Sequence, residues 1–241
     1  MGRWGHRLFE GDQDLDEYVD VAEEFKKKNG SPEIAWFFEN GPADMLLGRS
    51  SGTQTGVADS PESAKLETVR RIVDSGLGAT LMREFREKEN GNSPWAKYRV
   101  IILGAILMRM GAQIAQDDID HLRQLALATP SREGFALAFS DIGFRGPGLR
   151  QFLAALNHYQ SGTPRNFETP SCFACGKINC DIGRGVMQCG RCHSAWFCDK
   201  DCQRSYWRNM EDDIWSFEVL TSFVALQMSR YFSGANYFGF L

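Results

Sequence analysis

All seven cysteines of the 241-residue chain fall between Cys172 and Cys202. Cys172 with Cys175 and Cys189 with Cys192 form Cys-x2-Cys pairs, Cys198 with Cys202 forms a Cys-x3-Cys pair, and Cys180 stands alone in the spacer. A Cys-x2-Cys turn carries two thiolates to one side of a tight loop, and two such donor pairs complete the tetrahedral sulfur shell of a structural zinc site. Four residues apart, Cys198 and Cys202 share one face of a helix predicted over Asp199 to Asn209, with Cys198 or Asp199 as its N-cap. Glycine directly follows Cys175 and Cys189, which suits positive-φ turns beneath a metal. Roughly 40 residues bury too little apolar surface to fold alone, so a module of this size needs metal or disulfides. Disulfides fit poorly with an odd cysteine count and with the N-terminus MGRWGHRLFEGDQD, which lacks an apolar signal-peptide core. Redox Cys-x2-Cys chemistry is expected near a βαβ pattern, and two such pairs plus a third exceed its needs. Structural zinc is the reading that uses the spacing.

The full order, Cys-x2-Cys, spacer, Cys-x2-Cys-x5-Cys-x3-Cys-Gln-x3-Trp, with Phe197 before Cys198, resembles the MYND-type zinc finger, a cross-braced module. That family binds two zinc ions with eight ligands. The resemblance implies that the first and third pairs share one ion, here Cys172, Cys175, Cys198 and Cys202. The family's second ion takes the second pair, here Cys189 and Cys192, plus a histidine three residues after the tryptophan and a cysteine four further on. Those positions hold Met210 and Ile214, which cannot replace them. One complete zinc site is therefore expected, and a second depends on substitutes such as Cys180 or the acidic run Glu211, Asp212 and Asp213. His193 abuts Cys192 and is expected to point away from any metal held there, as an exposed turn residue.

Function follows the same resemblance. In that family the helix face bearing the glutamine and the tryptophan receives short proline-containing peptides of partner proteins, which makes Gln203 and Trp207 the peptide-binding residues implied here. Packing of Trp207 against the zinc core is the competing account, and the sequence leaves both open. The second functional reading is an enzyme with an unrecognised catalytic site in the helical domain, the finger serving as a targeting module, because these fingers occur beside methyltransferases and prolyl hydroxylases. A hydroxylase needs His-x-Asp and a later His, and His6, His121, His158 and His193 supply no such triplet. The methyltransferase surrounds its finger with β-rich segments, whereas this flank reads as helical. No cluster of nucleophile, base and orienting group can be named. A RING would need a Cys-x-His element and a DNA-reading finger a His-x3-5-His pair, both missing from the sequence.

A net charge of −4 argues against a broad nucleic-acid surface, which requires clustered Lys and Arg. The longest apolar run, Val100 to Met108, is about half of what a membrane span needs, so no span is predicted. An intracellular location, nucleus or cytoplasm, is expected.

The elements that must position the finger read as mainly α. Residues 13–29 predict a helix with Leu15, Tyr18, Val19, Ala22 and Phe25 inward, stopped by Asn29-Gly30, with acidic residues at its start and lysines at its end. Pro32 to Leu47 predicts a short buried helix holding Trp36, Phe37 and Phe38, and Gly48 to Asp59 a flexible loop. Ser60-Pro61 announces a helix to Ser75-Gly76, followed by another carrying Leu77, Leu81 and Phe85. Ser93-Pro94 starts a central helix from Trp95 to about Gln116, apolar nearly all round. Asp117 or Asp118 is expected to cap the next helix, Ser131 to start one with Phe135, Leu137, Ala138 and Phe139, and Gly146-Pro147-Gly148 to break the chain before a last one. The expected organisation is a helical domain at 1–160, a linker at 161–171, the MYND-like finger at 172–214, and a hydrophobic, helical tail at 215–241 that docks on the rest. A helical region followed by a C-terminal finger is also similar to the arrangement in fungal proteins of this class.

Overall fold

The computed structural model of the chain describes residues 5–41, 61–91, 93, 95–132 and 143–209. Its helices are α1 (Asp12–Lys28), α2 (Pro32–Glu39), α3 (Pro61–Ile72), α4 (Gly78–Lys88), α5 (Ala96–Met110), α6 (Gln116–Ala128), α7 (Gly146–His158), the short α8 (Asn179–Ile182) and α9 over residues 200–209. Two-residue strands β1 (Ser131–Arg132) and β2 (Phe144–Arg145) pair in parallel, and β3 (Met187–Gln188) pairs antiparallel with β4 (Trp196–Phe197) inside the cysteine-rich segment. The architecture is mainly α with a small cysteine-rich module after it.

Helix α5 is the axis. From Val100 to Met108 every side chain is buried, as a helix without a polar face requires, and α1, α3, α4 and α6 all pack against it. Gly104 permits the approach of α6, since a Cβ there would stand 2.6 Å from Leu122 Cδ1. The helix ends earlier than its composition suggests. Gly111 takes the left-handed conformation (φ 70°), and the Ala112 N–H closes back on the Leu107 carbonyl in a Schellman cap.

Several expectations shift by a few residues for identifiable reasons. In α1 it is Val21 that faces inward while Val19 is exposed, because at 100° per residue Val21 falls within the arc of Asp14, Tyr18 and Phe25, whereas Val19 falls past Leu15 at the edge of that arc. The acidic start of α1 is more than dipole complement. Asp14 is buried and accepts hydrogen bonds from the Phe9 N–H (2.9 Å) and the Tyr98 hydroxyl (2.6 Å), and Glu17 pairs with Arg99 at 2.5 Å. Helices α3 and α4 run together through a wide π-turn at Val73–Leu77, where Gly76 (φ 117°) absorbs the only non-helical step. Asp117 and Asp118 lie inside the first turn of α6 instead of capping it, and Asp118 pairs with Arg86 at 2.5 Å. Ser131 begins a strand rather than a helix; Phe135, Leu137, Ala138 and Phe139 lie outside the described residues, as do Gly48 to Asp59 and the tail. Gly146 and Pro147 open α7 rather than break the chain, proline being suited to a first turn whose N–H groups have no helical partner.

The stretch at 161–171 has more to bury than its two prolines suggest. Phe167 is 1% exposed and stacks on Phe152 of α7, while Ser171 is fully buried. Arg165 reaches forward to clamp Asp181 at the start of the finger with two parallel bonds of 2.5 and 2.6 Å, the side chains 6% and 3% exposed. Further along, Arg150 of α7 donates to the Phe173 carbonyl (2.5 Å) and lies 5.5 Å over the Tyr206 ring, and His6 stacks on Phe173. Gly176 rests directly on α7: a Cβ there would fall 1.9 Å from the Arg150 carbonyl oxygen. The finger is seated on the helices.

Burial works to raise the Asp181 carboxyl, but the bonds from Arg165 and from the Ile178 N–H hold it below the usual carboxylate range. Asp181→Asn leaves a buried guanidinium without its countercharge, at a cost of about 3 kcal/mol, read as a lowered urea midpoint. Because the folded carboxyl is depressed, its contribution is complete above the unfolded value of about 3.9 and fades as pH falls through the folded one. The difference between wild type and Asp181→Asn should therefore shrink below about pH 4, and a difference constant down to the acid transition contradicts the assignment.

Candidate metal centre

Cys172 opens the first knuckle. Its N–H bonds to the Lys177 carbonyl and its carbonyl accepts from the Gly176 N–H, both at 2.8 Å, which folds Cys172 and Cys175 to one side of a turn. Gly176, with φ 76°, supplies the left-handed step. Strand β4 delivers Cys198 from Phe197, and Asp199 caps α9 by accepting the Cys202 N–H at 2.8 Å, which fixes Cys202 in the first turn. Beneath the sulfurs lie Phe173, Phe197 and Tyr206, with ring centroids 5.6 to 6.3 Å apart.

These elements bring the ligand atoms of Cys172, Cys175, Cys198 and Cys202 within 4.8 Å of one another, the Cys175 and Cys198 sulfurs 3.4 Å apart. A tetrahedral zinc with bonds of about 2.3 Å sets its sulfurs roughly 3.8 Å from each other, so the cluster has the right size. Its proton chemistry points the same way. The Cys172 thiol is lowered to about 5, chiefly by the hydrogen bond from the Cys175 thiol. Cys175 is raised, first by donating that bond, while Cys198 and Cys202 are raised first by burial, Cys202 to about 12. Without a metal the cluster accommodates one thiolate among three thiols, since further negative charge in that space is repelled. A dication bound by Cys172, Cys175, Cys198 and Cys202 would allow all four to ionise and would tie the first knuckle and the end of β4 to α9.

Cys189 and Cys192 form a second knuckle outside this group of four. The Cys189 carbonyl accepts the His193 N–H at 3.0 Å, the same i to i+4 bond that closes the first knuckle, and its N–H bonds to the Ala195 carbonyl. The positive φ expected at Gly190 falls on His193 (φ 53°), the position equivalent to Gly176. His193 is otherwise the exposed turn residue its place suggested. Cys189 is held below the ordinary thiol range, first by the Cys192 N–H and then by the Arg191 N–H. Among the described residues no third Cys, His, Asp or Glu joins the pair to make a cluster. Cys180 is not a substitute ligand there: it is exposed beside Arg165 and Asp181. Met210, Glu211, Asp212, Asp213 and Ile214 lie outside the described residues.

Gln203 and Trp207 stand one turn apart on α9, both half-buried. The Gln203 amide donates to the Cys189 sulfur at 3.5 Å, a contact that motif reading had no means of finding. Trp207 leans on Tyr206 and Phe197, with centroids at 5.4 and 6.5 Å. Arg204 bonds within α9 to Asp201 and the Lys200 carbonyl.

The MYND finger family model matches residues 172–210. With the cysteine cluster, this makes the segment a MYND-type, zinc-binding finger, and such fingers are protein–protein interaction modules. The match covers the finger and leaves the helical region before it outside. No curated protein and no solved structure matches the chain. Among the described residues no helix is long and apolar enough to cross a membrane.

Cys175→Ser or Cys202→Ser should release the zinc of the four-cysteine cluster and unfold the finger, since a binding free energy on the order of 10 kcal/mol is the folding free energy of such a module. Cys180→Ser should keep the wild-type metal content. Elemental analysis of the three variants under reducing conditions checks both statements, and equal loss from Cys180→Ser contradicts the second.

Proposed function

We propose that the finger receives a short, extended, proline-containing segment of a partner protein on α9, with Trp207 as the apolar platform and Gln203 as the amide that bonds the partner's backbone. The observation that carries this reading is the half-exposed placement of both side chains one turn apart on a helix whose underside is pinned by Cys202 and Tyr206. A rigid aromatic of this kind loses little entropy on binding and presents a large contact area. Gln203 spends its NH2 group on Cys189 and keeps its carbonyl oxygen, which no described residue occupies, for an incoming N–H. An extended peptide offers such a donor at every second residue, and proline pre-orders the segment at low entropic cost.

The competing structural role of Trp207 makes a distinct forecast. Trp207→Ala should weaken capture of a proline-containing peptide by about 2 kcal/mol while zinc content and the helical circular dichroism stay at wild-type levels. Loss of zinc together with affinity assigns Trp207 to the core instead. Unchanged affinity moves the search for a partner surface to the helical region.

A further inference from the structure

Helix α7 turns a stripe of residues toward the first knuckle of the finger, and a groove of about 200 Å³ lies between the two. The apolar part of its lining is Leu153 and Ala154 on α7 and Ala174 on the knuckle, and the polar part is rich in donors. The Asn157 carbonyl oxygen is taken by Arg123 at 2.9 Å, which leaves the Asn157 NH2 group for a ligand. Neither the Lys177 ammonium nor the His158 ring has a hydrogen-bond or ion-pair partner among the described residues. Arg150, at the N-terminal end of the stripe, is held by the Phe173 carbonyl and the Tyr206 ring. Among the described residues no carboxylate lines the groove, and Asp181, whose charge interacts with His158, spends both oxygens on Arg165. A groove that offers donors and no acceptor is complementary to a ligand that brings negative charge and carbonyl oxygens.

We propose that this groove binds a short acidic segment of a partner protein, an extended stretch in which an aspartate or glutamate stands beside an apolar residue. Arg150 and His158 are eight positions apart on α7, about 12 Å along its axis. That is room for about four residues of extended chain, which suits a peptide better than a lone small anion. The carboxylate pairs with Lys177, the peptide carbonyls accept from Asn157 and His158, and the apolar side chain covers Leu153, Ala154 and Ala174. Lys177 also stands two residues from Cys175, where its competing role is to offset the negative charge of a metal held by four thiolates. That role has a different consequence, since removing the charge would then loosen the metal. Gln203 and Trp207 do not line the groove, so it stands whether or not α9 receives a peptide.

The zinc-loaded full chain is panned against a displayed library of random short peptides. Selected sequences should carry aspartate or glutamate next to leucine, isoleucine or phenylalanine, and a synthetic copy of one should bind about tenfold more tightly than its amide analogue. Lys177→Gln and, on the helix wall, His158→Glu should each weaken that peptide about tenfold, with zinc content and helical circular dichroism at wild-type levels. Trp207→Ala should leave it bound as tightly as wild type does. A library that yields no acidic sequence, a peptide bound equally well by both groove variants, or zinc lost from Lys177→Gln in step with the peptide overturns the proposal. So does a peptide lost with Trp207, which belongs to α9, or one displaced equally by free citrate at the same concentration, which makes the groove a small-anion site.

Discussion

Four sulfur atoms held within 4.8 Å of one another can ionise together only around a cation, and the rest of the finger depends on that constraint. The segment has a core of its own, but a thin one: Phe173, Phe197 and Tyr206 with a few small neighbours. Strands of two residues and a four-residue helix contribute little cooperative stability. A metal there supplies what size denies, and it fixes α9 relative to the first knuckle and the end of β4.

The helical region is stabilised differently. Its core is continuous around α5, and its charged groups are spent on pairing: Glu17 with Arg99, Asp118 with Arg86, His121 with Glu89. Burial tends to raise the Glu17 carboxyl more than Arg99 lowers it, so this pair serves to place α1 on α5 more than to add net stability. None of these paired groups gathers with a nucleophile and a base among the described residues.

Periodicity made the helices legible, because a helix that is apolar on one face or on all faces announces its burial in the sequence. What it could not set was where each helix stops. Gly76 and Gly111 act through positive-φ backbone dihedrals, and Gly111 also through the close approach of Thr163 and Pro164, effects that are ambiguous without the fold. The burial within 161–171 is silent in the sequence for a related reason: Phe167, Arg165 and Ser171 are isolated buried residues in a polar stretch, without a period to reveal them. In the finger, the cysteine spacing identified a metal module, but which pairs share an ion came from family resemblance. The alternation of the two knuckles along the chain offers no local signal for it. The bond from Gln203 to Cys189 joins residues on different elements and has no signature in the sequence at all.

The close seating of Gly176 and Phe173 on α7, with Asp181 clamped by Arg165, removes the freedom usually granted to a finger on a tether. On the proposed reading, a partner segment lying along α9 would leave it in a direction fixed with respect to α1, α5 and α7. Residues flanking that segment would then meet the helical surface already aimed, and a second contact there would form at high effective concentration, without the entropic loss of restraining a flexible connector. Binding strength can then be divided between a weak grip on the finger and a weak contact on the helices, each of low affinity alone, and a partner bearing only one of the two sequences is discriminated against by geometry.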